Sequence, residues 1–421
     1  MQISNSCGSK TKFTVIVPTR ERAGTLYYCL KTLLAQDYTN FAILVSDNFS
    51  QDDTAAVAAA FADPRISYVN TGRRMSMSHN WEFALTHVSS GWVLFVGDDD
   101  ALVPNALQTL DWVIQESGCE AMTTANCTYW WPNHFPAMPA GEVNIPMPTS
   151  TPYRVKDSKI MLSKVMRGLV EYRELPWLYN GGAASIDLIN RLRAPDGAYF
   201  RSQIPDIYSA VTLALGTKSY VALDIPIAIN GASKHSGGTF HMQGHKEDKD
   251  SPAAKFFAED NIPFHPSLIL GKSFLIMIYE CYLQADHLYQ TPTYPLAALL
   301  KAALVVAPKP FLTEIQSECA GIAKRNNVRL PSGPAVLVAR TMHRVRSLFR
   351  RLTQRLSITF PAAQIGASDV WLASLAVNDI YRMFAFLTQR SSLSRWVTSA
   401  FFFSNSLIRY FGRIMPSRKV G

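Results

Sequence analysis

Three consecutive carboxylates, Asp98, Asp99 and Asp100, follow directly on the apolar run Trp92 to Val96 and a single glycine, Gly97. Adjacent like charges repel, so such a cluster is costly unless a cation is shared among its oxygens. Hard oxygen donors in that number suit Mg2+ or Mn2+, usually bound together with substrate phosphates. A solvated acidic turn at the head of a helix is the plainer alternative. The preceding run favours the cation: a buried strand ending in carboxylates presents them at the carboxyl edge of a sheet, where open α/β folds hold ligands. Asp47 closes a second apolar run, Phe41 to Val45, in the same way. Asp206 stands before the apolar-periodic run Ile207 to Leu215, where it is either a helix cap or a positioned base.

The elements that must carry these groups alternate. Phe13 to Val17 reads as a strand ending at Pro18-Thr-Arg-Glu21, followed by Leu26, Leu30, Leu33 and Leu34 at helical spacing. The second strand, 41–45, leads through a polar loop to the Ala-rich helix 55–62. Asp63-Pro64 breaks that helix, and Ile66 to Val69 reads as a third strand. A helix over Ser76 to Val88 precedes the fourth strand, and Pro104 opens the helix bearing Leu107, Leu110, Val113 and Ile114. Strands alternating with helices indicate parallel βαβ units in a doubly wound, mostly parallel sheet flanked by helices. One Asp at a strand end for a base or ribose, and a cluster for a metal-diphosphate, together suggest a nucleotide site. Neither a Walker A motif nor G-x-G-x-x-G is present, which disfavours P-loop chemistry and dinucleotide binding.

Composition bounds the partners. Lys and Arg number 41 against 32 Asp and Glu, a formal charge of +9 that suits nucleic acid, anionic lipid or phosphorylated substrates. Apolar residues at 48% and aromatics at 11% exclude general disorder. Six cysteines without a C-x-x-C pair read as reduced, mostly buried thiols of a cytosolic protein. Residues 1–12 form a polar leader without the apolar core of a secretion signal. No run of about 18 or more apolar residues argues for a spanning helix.

The stretch 13–104 resembles the GT-A fold of family 2 glycosyltransferases, inverting enzymes that take a sugar from a nucleotide-sugar. The resemblance rests on Val17-Pro-Thr-Arg20, on Val45-Ser-Asp-Asn-Phe-Ser-Gln-Asp-Asp-Thr54, and on the acidic strand end followed by Leu102-Val-Pro104. Met77 to Leu85 is similar to a bacterial branch carrying a Gly-Asp-Asp-Asp motif. The resemblance implies that Pro18, Thr19, Arg20 and Glu21 line the nucleotide pocket, that Asp47 binds the base, and that Asn80 and Asp98 belong to the same site. Arg20 and Glu21 as a surface ion pair is the plainer alternative. The usual Asp-x-Asp-Asp motif has Gly97 at its first position here, which makes Asp99 the implied metal ligand, with Asp100 and His235 beside it. Asp206 is the implied catalytic base, with Pro205 where the family often has an acid. Arg73 and Arg74 are either diphosphate partners or a solvated pair.

The remaining chain divides at about residue 260. Residues 13–118 read as the nucleotide-sugar half of the GT-A domain and 119–260 as the acceptor half, with an irregular segment of six prolines between Pro132 and Pro152. That segment is either an acceptor flap or a loop packed by its own tryptophans. Residues 261–421 read as a C-terminal α-helical region. Its stretch 336–358 carries six arginines and no acid, with Val338, Met342, Val345 and Phe349 at three- and four-residue steps. A basic amphipathic helix reads as membrane docking, a solvated bundle face being the alternative, and no nucleic-acid motif accompanies the charge. The expected protein is a metal-dependent glycosyltransferase using Mn2+ or Mg2+, a nucleotide-sugar donor and a glycan or lipid-linked acceptor. Its expected place is the cytoplasm, peripheral on the inner face of the cell membrane. A sugar nucleotidyltransferase and a non-catalytic sugar- or lipid-binding assembly protein are the alternatives.

Overall fold

The computed structural model describes residues 10–132, 141–147, 149, 151–233, 259, 262–353 and 357–390, with side chains left out for 348–353 and 383–390. Four parallel strands form its heart: β1 (Phe13–Thr19), β2 (Phe41–Asp47), β3 (Ile66–Asn70) and β4 (Trp92–Phe95). The crossovers run through α1 (Ala23–Leu34), α2 (Thr54–Ala60) and α3 (Met77–Leu85), the last started by the Ser76 side chain accepting the His79 N–H. The spatial order is β4-β1-β2-β3. The chain therefore winds outward from β1 to β3 and then returns to the other side of β1 for β4. At that reversal the carboxyl ends of β1 and β4 border one crevice, the usual ligand position of an open α/β sheet. Alternate residues of β1 enter opposite cores: Val15 and Val17 join Leu26 and Leu30 of α1, and Ile16 joins Trp81 of α3. A one-residue slip would exchange the two faces, so burial on both sides holds the register that brings the strand ends level.

The sheet continues with mostly antiparallel pairings, the exception being a parallel one between its sixth and tenth strands. After β5 (Ala101–Leu102) and α4 (Ala106–Ser117) come β6 (Ala121–Trp130), β7 (Glu142–Pro146) and β8 (Tyr153–Asp157). Next are α5 (Ser158–Met166), β9 (Ala183–Ser185), α6 (Ile186–Arg191), α7 (Pro205–Gly216) and β10 (Ser219–Ala232). β9 lies between β4 and β6, and β10 pairs with β5, β6 and β8. The uncharged run from Ala121 opens as a ten-residue strand that ends before the proline-rich segment begins. Its Thr, Asn and Cys residues lack apolar alternation, and pairing with neighbouring strands makes up for it.

The C-terminal third is mainly helical, as expected, and packs onto the sheet. It contains α8 (Phe274–Gln284), α9 (Leu296–Val306), α10 (Leu312–Arg325), α11 (Gly333–Thr353), β11 (Ser357–Pro361) and α12 (Val370–Arg390). Tyr279 and Tyr282 of α8, Leu300 of α9 and Ile322 of α10 share the core of Trp81 and Tyr208. Val370, Val377 and Ile380 of α12 share the opposite core with Leu26, Leu30 and Leu107. β11 pairs antiparallel with β7 and extends the sheet. A sheet with two apolar faces needs cover on both, and residues beyond 260 supply much of it. Among the described residues no helix is long and apolar enough to cross a membrane.

Candidate active site

The ends of β1 and β4 meet at the acidic turn. Thr19 Oγ1 donates to Asp98 Oδ2 at 2.7 Å, and Arg22 Nη1 donates to Asp98 Oδ1 at 2.9 Å. The same guanidinium nitrogen lies 3.6 Å from Asp99 Oδ2, which also accepts from Ser233 Oγ. Trp131 Nε1 donates to the Asp99 carbonyl at 3.0 Å. Asp98, Asp99 and Asp100 are 2%, 3% and 1% exposed. Burial pushes the Asp98 carboxyl up to about 6 against the opposing pull of Arg22, and burial with the Asp99 charge pushes Asp100 up to about 8. Arg22 thus faces two carboxylates, an excess of negative charge over one guanidinium.

That imbalance fits a divalent cation, and the Arg22 nitrogen shared by two carboxylates marks where positive charge is best received. Asp98 and Asp99 offer hard oxygens there, and Mg2+ or Mn2+ commonly takes one or two carboxylates and fills its shell with phosphates and water. Among the described residues no group of three His, Cys, Asp or Glu side chains forms a complete cage. Asp100, expected as a further ligand, is bonded to backbone amides. Its Oδ2 accepts the Gly97 N–H at 3.0 Å and its Oδ1 the Gly231 N–H at 2.7 Å, so it braces the turn from within. His235 lies outside the described residues.

Gly97, the departure from the family motif, has a steric cause. A Cβ there would sit 2.5 Å from Asp100 Oδ2 and 2.5 Å from the Tyr179 hydroxyl. The space of a first acid is already filled by the third acid and its tyrosine partner. Gly231 is needed as strictly, since its Cβ would fall 1.7 Å from the Asp99 carbonyl oxygen.

The expected nucleotide residues divide into two groups. Pro18 and Thr19 end β1 beside the turn, and Glu21 joins three loops in the left-handed conformation at φ 54°. Its N–H donates to Ser50 Oγ, and its carboxylate accepts from the Gln51 N–H and from Arg74 at 2.8 Å. Arg20 makes a bidentate pair with Glu259 at 2.6 and 3.0 Å. Asp47 and Asn80, the other expected nucleotide residues, are held within the protein. Asp47 accepts from the Ser50 N–H and hydroxyl on one oxygen and from Tyr68 and Asn70 on the other, with its side chain buried. These bonds tie the β2 loop to β3. Asn80 accepts from Ser46 Oγ at 2.8 Å and is likewise buried, fastening α3 to β2.

Asp206 lies in the first turn of α7, behind Pro205, and the N-cap position is Ile204, so the simple cap reading does not describe it. Tyr172 donates its hydroxyl to Asp206 Oδ2 at 3.0 Å. Burial raises the Asp206 carboxyl above the usual carboxylate range, opposed by that hydrogen bond and by Arg173. A short relay links it to the acidic strand. Ser209 Oγ donates to the Asp206 carbonyl and accepts the Leu178 N–H, while the Leu178 carbonyl accepts the Phe95 N–H of β4 at 2.7 Å. Glu82 accepts the N–H groups of Tyr199 and Phe200, and buried Glu280 of α8 accepts from Ser202, so the loop before Asp206 is held from two sides.

Arg22, Trp131, Tyr172, Tyr179 and Ser233 were not singled out as site residues from sequence. Arg22 had one usable signal, its position immediately after the first strand's terminal loop. The others reach the site from remote segments: Trp131 just after β6, Ser233 just after β10, and Tyr172 and Tyr179 from the connection between α5 and β9. Restoring the acid by Gly97→Asp is expected to lower stability by about 1–3 kcal/mol from overpacking alone, with no gain in activity. A urea unfolding midpoint equal to that of the wild type would contradict this steric account.

Residues 14–122 match the model of Glycosyl transferase family 2. The GalNAc(5)-diNAcBac-PP-undecaprenol beta-1,3-glucosyltransferase of Campylobacter jejuni is 37% identical over 102 residues, 24% of this chain and 33% of that protein. The UDP-Glc:alpha-D-GlcNAc-diphosphoundecaprenol beta-1,3-glucosyltransferase WfgD of Escherichia coli is 26% identical over 95 residues, 23% of this chain and 38% of that protein. The matched stretch therefore spans between a third and two fifths of these relatives' lengths. The crystal structure of S. aureus TarS 1-349 in complex with UDP-GlcNAc aligns at a TM-score of 0.42 and 14% identity, covering 76% of this chain and 93% of that one. The similarity to glycosyl transferase family 2 is carried by residues 14–122.

Proposed function

We propose that the protein is an inverting glycosyltransferase that moves a sugar from a nucleotide-diphosphate sugar to a hydroxyl of a glycan or lipid-linked glycan, for cell-surface polysaccharide synthesis. The observation that carries this reading is the buried acidic turn at the switch point, where Thr19 and Arg22 meet Asp98. The names of the relatives, both glucosyltransferases on undecaprenyl-linked acceptors, support the lipid-linked acceptor. Asp99, with Asp98, would hold Mn2+ or Mg2+, which when bound neutralises the leaving diphosphate. Asp206 takes the proton of the acceptor hydroxyl as its oxygen attacks the anomeric carbon, and the nucleoside diphosphate leaves from the opposite face. A single displacement of that kind inverts the anomeric configuration. Tyr172 holds the Asp206 carboxylate in one rotamer, and the surrounding burial raises its basicity.

In this reading the protein works at a membrane surface, on the inner face of the cell membrane, and α11 supports the membrane contact. On α11, Leu337, Val338, Met342 and Val345 are 66%, 61%, 55% and 50% exposed. Arg340 is turned inward, donating to the carbonyls of Leu304 and Ala307 at the end of α9. It thus pins the helix rotation and leaves the apolar stripe outward, with Arg344 and Arg346 also exposed. Apolar side chains flanked by arginines match an anionic headgroup interface. The aromatic and basic residues after 390 lie outside the described residues.

Four outcomes are expected. Calorimetry with UDP, GDP and dTDP should find one that binds in the presence of Mn2+ and is lost in Asp99→Ala. Asp206→Asn should keep that binding while transfer falls by about 10²–10⁴-fold; absence of any nucleotide binding would sink the transferase reading. Because the base acts deprotonated, transfer should rise with pH as Asp206 ionises. Tyr172→Phe removes a donor to the carboxylate, so the rise should move to higher pH; an unmoved profile would count against Asp206 as base. Finally, Val338→Asp with Met342→Asp should lower binding to phosphatidylglycerol vesicles by about tenfold or more, as charge at an inserted face is costly, and equal flotation would remove α11 as the docking face.

A further inference from the structure

Arg22 is the residue whose position the proposed chemistry leaves unexplained. Its backbone is anchored at the head of α1, where its carbonyl accepts the Leu26 N–H at 3.0 Å and the Thr25 hydroxyl at 3.2 Å. Its side chain reaches across the end of β1 to the acidic turn and is 23% exposed. One nitrogen meets Asp98 Oδ1 at 2.9 Å and Asp99 Oδ2 at 3.6 Å. Thr19 holds the other oxygen of Asp98, and Ser233 donates to the Asp99 oxygen that Arg22 approaches. Their orientation toward a shared positive charge therefore does not depend on Arg22 alone.

A divalent cation approaching Asp98 and Asp99 meets a guanidinium on the oxygens it needs. Two cationic centres on the same pair of oxygens repel, and the repulsion is strong in a site withdrawn from water. A nucleoside diphosphate changes the balance. Its oxygens are anionic and match the planar fork of an arginine bidentately, so they can receive the guanidinium as the cation takes the carboxylates. We infer that Arg22 occupies the cation position of the acidic turn in the ligand-free protein and passes to the donor diphosphate when Mn2+ or Mg2+ enters. This rests on the donor site proposed above and adds its order of assembly. The cation binds poorly alone, the diphosphate and the cation strengthen one another, and Arg22 is the coupling element. By linkage the strengthening is the same factor read from either ligand.

The test is Mn2+ binding to the full chain, followed by electron paramagnetic resonance of the free ion, with and without whichever of UDP, GDP and dTDP binds. Arg22→Gln should bind Mn2+ alone about tenfold more tightly than the wild type, within the usual range for coupled sites. It should also show a smaller gain when the nucleotide is added. Arg22→Lys keeps the positive charge and should keep the weak binding of Mn2+ alone, which guards against a general loosening of the turn. Should Arg22→Gln fail to fold, the wild type still decides: Mn2+ affinity unaffected by the nucleotide overturns the inference. Equal Mn2+ affinity in the wild type and a folded Arg22→Gln, with nucleotide-dependent binding intact, overturns it and leaves the donor site standing. No Mn2+ binding under any of the three nucleotides overturns the metal site and the inference together.

Discussion

Burying three adjacent carboxylates is the constraint on which much of the structure turns. Charge withdrawn from water is costly unless each oxygen finds a partner. The partners here come from all over the chain: Thr19 from β1, Arg22 from the head of α1, Ser233 after β10 and the Gly231 amide within it. Each must arrive within hydrogen-bond distance, so the strands bearing them have little freedom of register. The glycines follow from the same demand. β10 can reach the Asp99 carbonyl only where residue 231 has no Cβ, and the turn can fold Asp100 back on itself only where residue 97 has none.

The three acids consequently do different work. Asp100 is spent on backbone amides and gives the turn its shape. Asp98 and Asp99 face Arg22 and keep the charge that a cation and a diphosphate would use. Asp47 shows the same division at the neighbouring strand end, where four donors convert a carboxylate at a ligand-binding edge into a loop brace. Position at the carboxyl end of a strand brings a side chain to the crevice, and the local supply of donors decides whether it remains available there.

The C-terminal helices belong to this economy of support as much as to the surface. α8 lends Glu280 to the loop before Asp206, and α8 to α10 bury the face of the sheet on which α3 and α7 lie. α12 covers the opposite face against α1. α11 differs from them, since it packs through Arg340 and leaves four large apolar side chains outward. A helix fixed by a charged contact, with its apolar stripe unburied, suits a surface that is itself partly apolar.

The alternating half of the fold was legible in sequence because β1 to β4 and α1 to α4 each carry a local signal: a short apolar run, a helical period, or a breaking proline. Those signals also put Asp98 and Asp99 at a strand end, since the strand and the acids are contiguous. Local pattern says nothing about which remote donor reaches a carboxylate. Saturation of Asp47, the inward turn of Asp100 and the bond between Asn80 and Ser46 could appear only once β2, β3, β10 and α3 were packed. The polar strand β6 and the edge strand β11 escaped for a related reason, as their hydrogen-bond partners are far away in sequence and their side chains lack clean alternation. Sequence by itself determined the βαβ order and the charge at the carboxyl edge, both properties of contiguous residues. Tertiary structure decided which charges stay available for a ligand, because availability depends on desolvation and on donors brought in from distant parts of the chain.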